Sequence, residues 1–213
     1  MPICRIIWFT FRPVEAGKST QVALLVKALE RARIATQATR EPGGSPGAEA
    51  IRQLLLDGEN ERWDAVSEAL LLYAARRDHV ARTIQPTIAA GRWVVCDRFT
   101  DSTIAYQGYG RGLPLDNLAV LQHFALGDFQ PDLTLILDLP VAEGLSRAAS
   151  RAGRADRFER LDPQFHQRLR DGFLAIAKAE PERCAMIDAA ADAGSVHRAI
   201  VATVAARFGV AMA

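Results

Sequence analysis

The chain has 213 residues, with 26 Lys and Arg against 25 Asp and Glu for a formal net charge of +1, and 49% hydrophobic and 24% charged residues. That composition excludes a disordered, collagenous or disulfide-scaffold chain. The near-neutral charge argues against a general nucleic-acid or membrane-surface binder, whose affinity rests on excess Lys and Arg.

The predicted elements alternate between strand and helix. Ile3 to Phe11 is a nearly continuous apolar run and predicts a buried strand. Gly17 to Arg33 follows with Val22, Leu25, Val26 and Leu29 at helical spacing. Ile34 to Ala38 predicts a second, short strand, and Pro42 to Gly47 a turn-rich loop. Ala48 to Leu56 predicts a helix, and Asp64 to Ala90 a long one bent near Pro86, which cannot donate a helix hydrogen bond. Trp93 to Cys96 predicts a buried strand ending at Asp97; Leu115 to Leu126 a helix; Leu133 to Leu139 another strand. Helices are expected from Val141 and from Pro163, a strand at Cys184 to Ile187, and a last helix from Ser195 to Phe208. Five apolar strands separated by helices predict a parallel sheet covered on both faces, in one domain over residues 1–213. Ligands of such sheets gather beyond the carboxyl ends of the strands. The chemistry is therefore expected just after Phe11, Ala38, Cys96 and Leu139.

Cys4, Cys96 and Cys184 have neither disulfide-framework nor zinc spacing and read as buried thiols. Arg12 and Glu15 interrupt the apolar start too early for a signal peptide, and no run approaches the ~18 apolar residues of a membrane span. A cytoplasmic protein is expected.

Gly17-Lys18-Ser19-Thr20 follows the first strand and opens a helix, where backbone N–H groups attract phosphate oxygens. The full phosphate-loop pattern asks for glycine five positions before Gly17; that place is Arg12, and Pro13 follows. Thr39 to Ser45 sets an arginine and a carboxylate beside Gly43 and Gly44, as close approach to a polar ligand requires. Arg52 and Arg76 lie on helices and suit a phosphate. Leu72 and Tyr73 precede Arg76 by four and three residues. Asp97-Arg98 ends a strand, pairing a carboxylate able to hold Mg²⁺ through water with a guanidinium able to straddle phosphates. Thr103 and Gln107 share a helical face, and the Gln107 amide has both the donor and the acceptor that reading a pyrimidine edge requires. Arg147, Arg151 and Arg154 share another face, with Arg157 beyond, and suit the clamping of a transferring phosphoryl group.

The ordered set Gly17-Lys18-Ser19-Thr20, Thr39-Arg40-Glu41-Pro42-Gly43-Gly44, Asp97-Arg98-Phe99 with Asp101-Ser102 and Ala105-Tyr106-Gln107-Gly108, then Asp156-Arg157-Phe158-Glu159, resembles bacterial thymidylate kinase over nearly the whole chain. The resemblance implies the three-layer α/β fold of P-loop nucleoside-monophosphate kinases, with a five-stranded parallel sheet and a helical lid over about residues 147–160. It implies γ-phosphate transfer from ATP to dTMP, Mg²⁺ dependence and a homodimer, with no nucleic-acid or membrane partner. Lys18, Arg98, Arg151, Arg154 and Arg157 would then be catalytic. Glu15, Ala16, Gly17, Lys18, Ser19 and Thr20 would bind ATP, and Ser19 and Asp97 the metal. Arg40, Glu41, Pro42, Arg52, Leu72, Tyr73, Arg76, Arg98, Thr103, Tyr106 and Gln107 would bind dTMP. Two departures stand out: the segment before Ala16 is best matched with one residue missing, and Leu72 takes the place where the family usually has an aromatic. Two other readings stay open here: a kinase for another nucleotide or deoxynucleoside, and a nucleotide-binding protein whose altered phosphate loop impairs catalysis. His79, His123, His166 and His197 make no HExxH, and no G-x-S-x-G elbow is present.

Overall fold

A computed structural model describes residues 5–11, 18–57, 62–149 and 162–212. Its centre is a parallel sheet in the order β2-β3-β1-β4-β5. The strands are β1 (Ile6–Phe11), β2 (Thr36–Arg40), β3 (Trp93–Asp97), β4 (Leu133–Asp138) and β5 (Cys184–Asp188). Helices α1 (Lys18–Arg31) and α9 (Ala193–Phe208) cover one face. There Val22, Leu25, Leu29, Val196, Ile200 and Val204 pack on Ile7, Phe9, Val95, Leu133, Leu135 and Leu137. The opposite face, carrying Ile6, Trp8, Val94, Cys96 and Ile136, is covered by residues between Val80 and Leu126 and by α8 (Pro163–Ala179). Strands β1, β3 and β4 are buried on both faces, which is why they read as continuous apolar runs, while the edge strands β2 and β5 are only partly buried. The three-layer architecture and the five parallel strands agree with the sequence expectation.

Two expectations change in detail. The second strand begins at Thr36 and runs to Arg40, two residues later than expected, because Arg33 takes a left-handed φ of 61° and the Ile34 N–H still caps the helix at Leu29 O. The long helix is not simply bent at Pro86. α3 (Ala65–His79) passes into a π-helical turn at Val80–Ile84 before α4 (Gln85–Ala89). The Gln85 N–H reaches back five residues to Val80 O, so the widening falls in the turn ahead of the proline.

Three helices start on aspartate caps. Asp64 accepts from the Val66 and Ser67 N–H groups, Asp162 from Phe165, and Asp192 from Gly194 and Ser195. Short α5 (Thr100–Thr103) runs directly into a π-helical segment, Ile104–Gly110, after which come α6 (Leu115–Leu126) and, beyond β4, α7 (Val141–Ala149). α2 (Pro46–Leu56) follows the loop after β2. The expected lid begins at the end of α7, and its remainder lies outside the described residues.

Candidate functional site

The carboxyl ends of β2 and β3 lie side by side, with Arg40 in register with Asp97. Arg98 then turns the chain, its N–H donating to Phe9 O at 2.7 Å and its φ at +69°. A non-glycine residue held there costs about 1 kcal/mol. The Arg98 guanidinium lies 5.0 Å from the centre of the Tyr106 ring. Arg52 of α2 donates to the Pro42 carbonyl at 2.6 Å. Its pKa is held below the usual arginine value, first by burial and then by the positive charge of Arg40, with Arg98 contributing in the same sense. The charges of Arg40 and Arg98 thus both bear on Arg52, an arrangement that favours an anion beside it. Glu49 answers part of this charge: it accepts from Arg40 at 3.0 and 3.2 Å and from the Gly44 N–H at 2.9 Å. The Gly44 amide is the main reason its carboxyl sits below the usual range.

The loop after β2 is pinned onto the end of α3. Glu41, almost fully buried, accepts from Arg76 Nε at 2.7 Å and faces His79 Nδ1 at 3.0 Å. A carboxylate only accepts, so Nδ1 carries the hydrogen; Nε2 meets the Thr39 hydroxyl at 2.7 Å. Ser45 donates to Asp78, and Thr83 donates to Gly44 O. Gly44, at φ +87°, passes so close that a Cβ there would lie 2.4 Å from His79 Nε2 and 2.5 Å from Thr39 Oγ1. The glycine is therefore dictated by contact as well as by backbone angle.

At the other end of the cleft, Glu68, Leu72 and Arg76 recur every four residues along α3 and share one side of it. The helix and π-helical segment from Thr100 to Gly110 carry the facing groups. Arg76 Nη2 donates to Thr103 Oγ1 at 3.0 Å, and Gln107 Nε2 donates to Glu68 Oε1 at 2.7 Å. Arg111 completes an ion pair with Glu68, its Nε 3.2 Å from Oε1. Three atoms of this buried set, Arg76 Nη1, Arg111 Nε and Gln107 Oε1, have no hydrogen-bond partner among the described residues, though Arg111 Nε keeps its ion-pair contact with Glu68. Arg76 Nη1 is a donor and Gln107 Oε1 an acceptor. Asp97 Oδ1 is likewise buried without one. Buried polar atoms are ordinarily satisfied, so those left without a partner are places for ligand atoms or water.

Tyr73 turns about 100° away from Leu72 around α3 and enters the core with Ala69 and Leu118, its hydroxyl reaching Leu118 O. Leu72 stays half-buried on the cleft side of the helix, with Glu68 and Arg76. Burial pushes the Tyr73 phenol above its ordinary pKa. Lys18 opens α1, and Ser19 and Thr20 are exposed on its first turn. Glu15, Ala16, Gly17, Arg151, Arg154 and Arg157 lie outside the described residues. Arg147, grouped with the lid arginines in the sequence, instead donates to the Ala189 and Ala190 carbonyls after β5. Asp101 is no helix cap: it is buried and bound to Arg183 through two hydrogen bonds. Sequence reasoning missed Glu68, His79, Glu49 and Arg111. A signal existed for Glu68 and His79, which stand eight residues before and three after Arg76 on one helix.

Residues 15–200 match the sequence profile of the thymidylate kinase family. The chain is similar to a thymidylate kinase from Caulobacter vibrioides, 54% identical over 194 residues that span 91% of this chain and 93% of that one. It is similar to another from Rhodopseudomonas palustris strain TIE-1, 57% identical over 180 residues, covering 83% of this chain and 78% of the relative. Among solved structures it resembles the crystal structure of thymidylate kinase from Ehrlichia chaffeensis, with a TM-score of 0.72 and 33% identity over 94% of this chain and 99% of that one.

Proposed function

The chain belongs to the thymidylate kinase family, and from that premise we propose that it transfers the γ-phosphate of ATP to the 5′-phosphate of dTMP, giving ADP and dTDP. The observation that carries the acceptor is the pair of open atoms at the base end of the cleft. Thymine offers a carbonyl oxygen at O4 and a hydrogen at N3. Arg76 Nη1 is an open donor and Gln107 Oε1 an open acceptor, the complement of that edge. Cytosine, with an amino group at C4 and a lone pair at N3, would meet a donor with a donor and an acceptor with an acceptor. Leu72 supplies an apolar wall, and Thr103 and Tyr106 complete the pocket. Tyr73 is left to the core.

Arg40, Arg52 and Arg98 would hold the acceptor phosphate, with Glu41 and Pro42 shaping the loop beneath it. Burial lowers the Arg52 pKa first and the charges of Arg40 and Arg98 lower it further; an anion entering the site relieves that repulsion. Arg98 would bridge the acceptor and donor phosphates. Lys18, with the N–H groups from Ala16 to Thr20 and the side of Glu15, would cradle ATP at the start of α1, and Arg151, Arg154 and Arg157 would close over the transferring group. Their positive charges would meet the charge that develops on that group, while the two cradles hold donor and acceptor in line. Hard oxygen ligands suit Mg²⁺, and Asp97 Oδ1, buried without a hydrogen-bond partner among the described residues at the carboxyl end of β3, fits a metal-bound water. When bound, the ion would neutralise charge on the ATP phosphates.

The α3 and α6 surface carries Val66, Leu70, Val120 and Phe124 exposed, Phe124 at 89%. On each helix the two apolar residues are four apart. A second copy related by a two-fold axis would bury this stripe against itself, which supports the homodimer. No helix among the described residues is long and apolar enough to cross a membrane. The cytoplasm, where ATP is available, is the proposed place of action. The two other readings, another acceptor or an impaired binding protein, are not favoured by relatives that bear the thymidylate kinase name at 50–57% identity.

A coupled assay of ADP release tests the proposal. dTMP-dependent turnover at saturating MgATP is the expected result; folded protein that gives no dTMP-dependent signal would reject it.

A further inference from the structure

We infer that Glu68 is a specificity-determining positioning residue: it locks the Gln107 amide in the orientation that admits a pyrimidine bearing N3–H and refuses one bearing an N3 lone pair. The inference rests on the reading of the cleft as a dTMP site and adds to it the residue that sets the choice of base.

A carboxamide rotated by half a turn exchanges its oxygen and nitrogen with almost no change of shape. What a buried glutamine presents to a ligand is therefore decided by its neighbours. Gln107 is 1% exposed and Glu68 fully buried. The Gln107 nitrogen lies 2.7 Å from Glu68 Oε1. Arg111 stands against the same carboxylate, its Nε 3.2 Å from Oε1 and its Nη2 3.5 Å from Oε2, so donors face both oxygens. A carboxylate only accepts. Turning the amide over would set oxygen against oxygen and take the Gln107 N–H groups from their acceptor, both costly in a buried site. The amide is thus held with Oε1 turned away from Glu68, and that atom is buried without a hydrogen-bond partner among the described residues. Glu68 touches no substrate atom in this account. It acts through Gln107, just as Glu41 acts through Arg76, which stands eight residues, about two turns, further along the same side of α3.

Glu68→Gln keeps the shape and removes the lock, because a glutamine at this place accepts or donates equally well and lets Gln107 turn. The test is titration calorimetry of the full-length protein with dTMP, dUMP and dCMP. dTMP and dUMP share the N3–H edge and differ only in the methyl group, so their ratio is an internal control that a loss of fold would not separate from dCMP. In E68Q, dTMP and dUMP affinities are expected to fall together by about ten-fold, with dCMP unchanged or improved, so the dTMP-to-dCMP ratio narrows by about ten-fold or more. Arg111→Met, at the partly exposed end of the same ion pair, is expected to move the ratio in the same direction by less, and serves if E68Q does not fold. Equal weakening of all three nucleotides, or an unchanged dTMP-to-dCMP ratio, would overturn the inference. Wild-type protein that binds dCMP as well as dTMP would instead overturn the reading of the site itself.

Discussion

Arg183 offers the sharpest test of how the segment proposed to read the base is anchored. Its Nη1 donates to Asp101 Oδ2 and to Thr134 Oγ1, both at 2.7 Å; Nη2 donates to Asp101 Oδ1 at 2.8 Å and to Glu180 at 2.9 Å. Asp101 stands two residues before Thr103 and six before Gln107, so this fork ties the chain entering β5 to the helix that carries both. The side chains are 12% and 3% exposed. Burial by itself would depress the guanidinium pKa, yet the hydrogen bonds from Asp101 and Glu180 outweigh it and the pKa is raised. The fork thus favours the charged guanidinium, and removing one member strands the other. Arg183→Met leaves the Asp101 carboxylate buried with the Thr134 hydroxyl, and its expected cost is about 3–5 kcal/mol. In urea that lowers the unfolding midpoint by about 1 M or more for a chain of this size. Asp101→Asn leaves Arg183 with Glu180 and some water, and should cost less. The double variant should lose less than the sum of the two by about 1–3 kcal/mol. Urea unfolding followed by circular dichroism gives all three numbers. A loss below about 1 kcal/mol for Arg183→Met, with an additive double variant, would show that the fork is not what holds this segment.

Gly44→Ala should be among the most damaging changes in the cleft. The new methyl meets the His79–Thr39 pair at 2.4 and 2.5 Å, and the φ of +87° is strained for alanine, so a loss of about 2 kcal/mol and weaker dTMP binding are expected from urea unfolding and calorimetry. Arg52→Met should raise the KM for dTMP by about ten-fold or more while leaving binding of thymidine, which lacks the phosphate, unchanged; equal effects on both would remove Arg52 from the phosphate site. His197 is held below its ordinary pKa of 6.5 first by burial and then by Arg31, so its neutral form is the folded one. The unfolded chain then binds more protons, and the stability it contributes is present above about pH 6.5 and declines as pH falls through that value. His197→Asn should flatten the decline in urea stability between about pH 7.5 and about pH 5.5, and an unchanged slope would refute the assignment. Val120→Asp with Phe124→Asp should convert a dimer to a monomer in light scattering, because the charges would be buried at the apolar stripe.

Hydrophobic period and the handful of turn residues were enough to read the strand and helix alternation, since each strand buried on both faces must be apolar throughout, whatever its neighbours. The ends of those strands also announced where Arg40, Asp97 and Arg98 would meet, because ligand groups of a parallel sheet collect at one edge. Leu115 to Leu126 was read to the residue. What local pattern leaves undetermined is which partner each buried charge finds. Gln107 meets Glu68 across 39 residues of chain, Arg76 meets Glu41 across 35, and Asp101 meets Arg183 across 82. Those pairings follow from strand order and helix docking, which no short window contains. Leu72 and Tyr73 were both candidates in the sequence; a 100° step around α3 separates them, and packing on Leu118 takes Tyr73 into the core while Leu72 stays half-buried on the side of Glu68 and Arg76. Composition and periodicity thus determined the layers, while tertiary contact decided the polarity of the site, because a hydrogen bond's direction depends on the group that faces it.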